Sequence, residues 1–173
     1  MAWFRRGGKD SSAASDGGRE ATSTRSEPSL AVDDEIPVQP VLEGVPEAER
    51  NRIARALEEL GGAGVDVDDL SSLAAGLDDA FTGWESAPEG VREPHERIVE
   101  RYALGIGEHL HRHTDLRWQV VTDAFGTDLA VAGGFRGDFV VVPSNLVAVR
   151  WLRRETGWVP GVVGHIVRCR NER

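Results

Sequence analysis

Three histidines in the middle of the chain have a spacing that could hold a metal ion. His109 and His113 are four residues apart, with His111 between them, and on a helix this spacing places two imidazoles on one face, as in helical zinc sites. Glu108 precedes the pair, and no glutamate lies between the two histidines. A third ligand would have to come from elsewhere, such as His95, because a catalytic zinc needs three protein ligands. We favour the alternative, a polar helix end stabilised by the helix dipole, and predict no metal and no other cofactor.

Two aspartates, Asp123 and Asp128, flank a predicted turn. Paired carboxylates can act as general acid and base, or can bind a hard cation such as Mg²⁺. The turn begins at Asp123 and ends at Gly126, and these residue types are favoured at the first and fourth turn positions. We therefore assign Asp123, Gly126 and Asp128 to a hairpin turn and assign no catalytic residue. A metal-dependent enzyme or small-molecule binder, built from the two aspartates and the helix histidines, is the alternative.

Three arginines surround a tryptophan near the C-terminal end: Arg150, Arg153 and Arg154 lie beside Trp151. On a helix, the three arginines share one face, and arginine beside an aromatic residue is typical of interaction hot spots. The same group could bind phosphate or nucleic acid. The alternative is internal pairing of the arginines with the acidic residues of segment 66–79.

The composition excludes several classes of protein. The 173 residues include one cysteine, which excludes an intramolecular disulfide framework and any multi-cysteine metal site. No apolar run approaches the ~20 residues needed to span a bilayer, so we expect no membrane association. Acidic residues outnumber basic ones, 29 to 20, which argues against a general nucleic-acid coat. Residues 144–173, however, carry six basic and two acidic residues, and such asymmetry can orient a protein partner.

The first part of the chain is predicted to be a tail followed by helices. Residues 1–44 are polar and rich in glycine and serine. Such a segment can bury too little apolar surface to offset the conformational entropy that is lost on folding. We therefore predict a disordered tail over residues 1–44 and a single domain over residues 45–173. Helical periodicity runs from about residue 46 to 61, from the acidic cluster at 66–69 to 84, and from 94 to 113. Gly105 and Gly107 thin the third helix, which indicates that another element packs closely there.

Beyond residue 113 the periodicity changes to that of strands. Segments 118–122 and 127–132 predict a β-hairpin, and 139–142 predicts a third strand. Ser144 is expected to cap a following helix, whose inward face is formed by its aliphatic residues, Leu146, Val149 and Leu152. A last, shorter helix is expected over 160–168. This order predicts an α+β fold, in which N-terminal helices pack on a three-stranded antiparallel sheet that is followed by one or two C-terminal helices.

Three segments of this region form a recognisable series: WQVVTD from residue 118, GTDLA from residue 126, and Val142-Pro143 followed by Arg150. The series resembles an uncharacterised bacterial family, the domain of unknown function numbered 3806, over roughly residues 70–157. Gln119 departs from the family pattern, which has an aliphatic residue at that position. The resemblance implies a soluble cytoplasmic domain and implies no activity, so it transfers no catalytic residue to this chain.

These observations lead to one functional prediction. We predict a soluble, non-enzymatic module that binds another protein, with Arg150, Trp151, Arg153 and Arg154 or an exposed sheet edge as the docking surface. No membrane partner and no nucleic acid are expected.

Overall fold

The computed structural model describes residues 40–124, 126–134 and 139–172. The α-helices and strands of these residues are, in chain order, β1 Val41–Glu43, α1 Glu47–Gly62, α2 Leu70–Ser86, α3 His95–His113, β2 Arg117–Asp123, β3 Gly126–Gly133, β4 Phe139–Val141, α4 Pro143–Leu152 and α5 Val159–Asn171. A short 3₁₀ turn, Glu89–Val91, separates α2 from α3. The α+β class follows from this order, with helices before and after the sheet.

The first three helices confirm the periodicity of the sequence. Helix α2 begins after Asp69, whose carboxylate accepts a hydrogen bond of 2.8 Å from the backbone N–H of Ser71, as expected of an aspartate at a helix N-terminus. Helix α3 is the centre of the fold, because it contacts α1, α2, α4, α5 and the strands β2 and β3. Its residues at spacings of four are buried: Ile98, Tyr102, Ile106 and Leu110.

The prediction of three strands is wrong, because the described residues form a four-stranded antiparallel sheet in the order β1-β2-β3-β4. The additional strand β1 pairs Val41 with Thr122 and Glu43 with Val120. It lies inside the segment 1–44 that we predicted to be disordered, so that prediction is wrong for residues 41–43, and residues 1–39 lie outside the described part of the chain. Three residues can extend a sheet through main-chain hydrogen bonds alone, which composition does not reveal.

One face of the sheet packs towards α3. The cross-strand pairs Trp118–Val131 and Val120–Leu129 place these four side chains on the same face. Trp118 reaches Gly107 so closely that a Cβ atom on this glycine would lie 2.1 Å from the indole Cη2 atom. The expectation that another element packs closely against the glycine pair of this helix is therefore confirmed.

Helix α4 differs from its prediction. It begins at Pro143, Val142 occupies the N-cap position without a side-chain cap, and the helix ends at Leu152. Its buried residues are Pro143, Val147 and Trp151, whereas the side chains predicted to face inwards are exposed at two positions, 44% for Val149 and 73% for Leu152. Burying the indole of Trp151 removes more apolar surface from water than burying an aliphatic side chain, and this sets the rotation of the helix.

The contact between Gly107 and Trp118 makes a testable prediction. Replacing a glycine inside a helix by alanine ordinarily stabilises a protein by up to ~1 kcal/mol. At Gly107 the added methyl group would overlap the indole, and overpacking costs about 1–3 kcal/mol, so Gly107→Ala should lower the free energy of unfolding in urea. Gly83→Ala in α2 is the matched control, because nothing lies within 4 Å of its Cβ position. Equal stabilisation of both variants would contradict the close packing.

Candidate functional site

A groove of about 540 Å³ opens between the sheet and helices α1, α3 and α4. Its lining is mainly apolar on both sides and includes Val99, Leu104, Trp118, Val120, Leu129 and Ala148. The volume lies within the ~300–1,000 Å³ range of ligand-binding clefts. The groove is therefore the principal candidate for a binding site in the described part of the chain.

The groove exists because the side chains between the sheet and α3 differ in size. Trp118 fills the space next to Gly107 and Pro143, and its indole N–H donates a hydrogen bond of 2.9 Å to the Glu108 carboxylate. Farther along the same face, β2 and β3 present the shorter side chains Val120 and Leu129. The open space of the groove lies beside the tryptophan, where these shorter side chains form part of its wall.

The rim of the groove carries more acidic than basic groups. Arg52 of α1 donates one hydrogen bond of 2.8 Å to Glu49 and another to Glu100 of α3. Glu96 lies at the N-terminal end of α3, with its carboxylate 3.4 Å from the Nδ1 atom of His95. The remaining polar lining comes from β3 and the first turn of α4: Thr127, Asp128, Ser144 and Asn145.

The apolar surface of the groove continues onto the outside of α4. Ala148 and Leu152 both line the groove, and Leu152 is 73% exposed. Val149, which follows Ala148, is 44% exposed. The apolar surface therefore extends beyond the cleft that a small ligand would occupy.

The arginine cluster forms only part of the surface that we predicted. Trp151 is only 6% exposed and makes edge contacts with Phe81 and Trp84, at ring-centroid distances of 5.0 and 5.5 Å. Its assignment to an interaction surface is a prediction that the structure corrects, because a buried indole has no area left for a partner. Arg153, by contrast, has a side chain that is 69% exposed.

The other two arginines of the cluster are engaged within the chain. Arg150 stacks 4.6 Å above the ring of Trp158 and donates a hydrogen bond of 3.0 Å to the carbonyl of Leu146. Arg154, which follows the end of α4, forms an ion pair with Glu85, although its side chain is 67% exposed. The alternative of internal pairing thus describes these two residues, although the acidic partner of Arg154 lies outside segment 66–79.

The helix histidines contact other parts of the protein. The Nδ1–H of His109 donates a hydrogen bond of 2.8 Å to the carbonyl of Val67, and the Nδ1 atom of His111 lies 3.0 Å from the carbonyl of Leu116. The Nε2 atom of His113 is 3.3 Å from the Asp68 carboxylate. Burial lowers the pKa of His109, outweighing the Val67 carbonyl, which raises it.

The predicted aspartates lie on the hairpin as expected. Asp123 is paired with Gly126, and Asp128 with Val121. Gly126 has a φ of 135°, a conformation that glycine adopts without steric cost. Asp128 lines the groove, whereas His109, His111 and His113 do not, so the structure does not bring the aspartates together with these three histidines. Among the described residues, no group of three or more potential ligands could hold a metal ion.

Comparisons with known proteins identify no relative of this chain. No protein-family model, curated protein or solved structure matches the chain significantly. Across the ranges that the structure describes, every helix is too short or too polar to cross a bilayer.

The lowered pKa of His109 makes the stability of the protein depend on pH. In the unfolded chain the imidazole of His109 binds a proton near pH ~6.5, whereas in the folded protein the same imidazole binds a proton only at lower pH. The free energy of unfolding should therefore fall as the pH decreases through this range, by at most ~1.4 kcal/mol per pH unit. His109→Gln should reduce this slope in urea unfolding measured from pH 7.5 to 5.5, and the exposed His165→Gln should not. An unchanged slope in His109→Gln would contradict the assignment.

The two kinds of arginine in the cluster can be separated by mutation. Arg150→Ala removes a cation–π contact and a hydrogen bond, so we expect a loss of about 1 kcal/mol in the free energy of unfolding. Arg153→Ala removes a side chain that is 69% exposed and should change this quantity by less than ~0.5 kcal/mol. Urea denaturation checks both values, and equal losses would argue against a structural role specific to Arg150.

Proposed function

We propose that this chain is a non-enzymatic protein-interaction module and that the groove binds a segment of another protein. The observation that carries the proposal is the continuous apolar surface, which runs from the groove lining at Val120 and Ala148 to the exposed Leu152. Contiguous exposed apolar surface is typical of interaction sites. A chain segment laid along the groove would cover both parts of this surface.

The distribution of polar groups favours a peptide segment over a small metabolite. Sites for small ligands surround most of the ligand and direct a few polar groups at it. Here the polar groups lie at the rim, and Glu49 and Glu100 both accept hydrogen bonds from Arg52. Specificity would then come from the fit of apolar side chains into the groove, as in recognition of a peptide by a hydrophobic groove.

The groove takes precedence over the docking surfaces that we proposed from the sequence. The arginine face lacks its aromatic member, because Trp151 is buried. The edge strands β1 and β4 contain three residues each, and such short edges offer few main-chain hydrogen bonds to a partner strand. The cytoplasmic location, the absence of nucleic-acid binding and the family resemblance remain predictions.

Selection of peptides from a random displayed library on the purified chain tests the proposal. Leu152→Ser removes an exposed apolar side chain at the groove, and Val120→Thr places a hydroxyl group in its lining while keeping the shape of the side chain. Because burying a hydroxyl group without a hydrogen-bond partner costs about 1–3 kcal/mol, Val120→Thr should raise the Kd of the selected peptides by about 10-fold. Leu152 lies at the edge of the groove, where contacts contribute less, so Leu152→Ser should raise the Kd by about threefold or more.

Val91→Ser is the matched control, because Val91 is 75% exposed, close to the 73% of Leu152, and does not line the groove. It should leave the Kd unchanged. Failure to select any peptide, or selected peptides that bind all three variants as they bind the native chain, would overturn the proposal.

A further inference from the structure

We infer that the segment bound in the groove has an apolar centre and basic residues on its flanks. This inference rests on the proposed function and adds the chemistry of the partner. It follows from the separation of apolar and acidic groups in the groove: Val99, Leu104 and Leu129 contribute to the lining, whereas carboxylates from α1 and α3 stand at the rim.

The acidic charge of the rim exceeds what its own basic groups neutralise. Three carboxylates from the helices line the groove, those of Glu49, Glu96 and Glu100, together with one guanidinium and one imidazole. The guanidinium of Arg52 is shared between Glu49 and Glu100, so one positive charge faces two negative charges on that side. A net negative charge therefore remains even where the rim is paired internally.

The third carboxylate is accessible to a partner. The side chain of Glu96 is 71% exposed, and its contact with His95 is an ion pair only when the imidazole is protonated. Asp128 is paired with Val121, so its side chain lies on the sheet face opposite the one that carries Val120 and Leu129, and its carboxylate is not part of the rim. A cationic group of a bound segment can thus approach Glu96.

Charge complementarity then selects among apolar segments. Rim charges contribute to partner choice and to the association rate, while the buried centre supplies most of the affinity. Arginine or lysine on the flanks would approach the carboxylate of Glu96 and the incompletely neutralised carboxylates of Glu49 and Glu100, and acidic flanks would be repelled by them. The effect should weaken with added salt because the rim is solvent-exposed.

Three fluorescent peptides with one aliphatic centre and flanks of arginine, serine or glutamate test the inference. For the native chain at low ionic strength, the arginine-flanked peptide should bind at least about threefold more tightly than the serine-flanked peptide. The glutamate-flanked peptide should bind most weakly. Raising the salt concentration should bring the three Kd values together.

Variants connect this preference to the rim. Glu96→Gln should reduce the ratio of the serine-flanked to the arginine-flanked Kd. Glu58→Gln is the control, because Glu58 is exposed on α1 and does not line the groove. Leu152→Ser should weaken all three peptides by a similar factor.

The outcomes separate the two proposals. Equal binding of the three peptides, each weakened by Leu152→Ser, would overturn the charge inference and leave the proposed function intact. A preference for arginine that Glu96→Gln retains in full would also overturn the inference. If no peptide binds and sedimentation shows a dimer that Leu152→Ser dissociates, a second copy of this chain occupies the groove and both proposals fail.

Discussion

The contact between Trp118 of the sheet and Gly107 of α3 determines the arrangement of the rest of the domain. The indole occupies space that a side chain at position 107 would fill, and Pro143 packs next to the same glycine. The hydrogen bond from the indole to Glu108, which also accepts from Arg112, fixes the orientation of the ring. Because interiors are close-packed, a ring of this size sets the separation of the two layers.

The groove and the position of α4 both follow from this contact. Where smaller side chains follow Trp118 along the sheet face, the fixed separation leaves space that the protein does not fill. Pro143 begins α4, and burial of Trp151 between α4 and α2 fixes the rotation of this helix. Leu152 is then turned outwards at the edge of the groove. One packing contact and one buried indole thus account for both parts of the apolar surface on which the proposed function depends.

The sequence predicted the helices well because their periodicity is local. The stripe of Ile98, Tyr102, Ile106 and Leu110 and the cap at Asp69 depend only on residues within one helix. It did not predict β1, because a three-residue strand forms only when another strand offers a free edge. The predicted inward face of α4 was also wrong, because burial of Trp151 in preference to Leu152 depends on contacts with Phe81 and Trp84, which lie about 70 residues away in the sequence.

The groove was missed for a related reason. Its lining residues follow the same periodicity as core residues, and the space between them arises only from the packing of distant elements. A signal was nevertheless present in α3, where Val99, Ala103 and Leu104 widen the apolar stripe beyond what one packing partner covers. For the arginine cluster the sequence led to the opposite error, because its composition is typical of an interface although Trp151 is buried and Arg150 stacks on Trp158.

The central claim is that a partner segment lies against Trp118 in the groove, and the indole N–H signals in an NMR titration test it most directly. Trp118 lines the groove, whereas Trp151 is buried in the core and Trp158 stacks under Arg150. On addition of the arginine-flanked peptide, the Trp118 signal should shift progressively while those of Trp151 and Trp158 stay in place. A shift of the Trp158 signal with Trp118 unchanged would contradict the account, because it would place the partner on the arginine cluster instead.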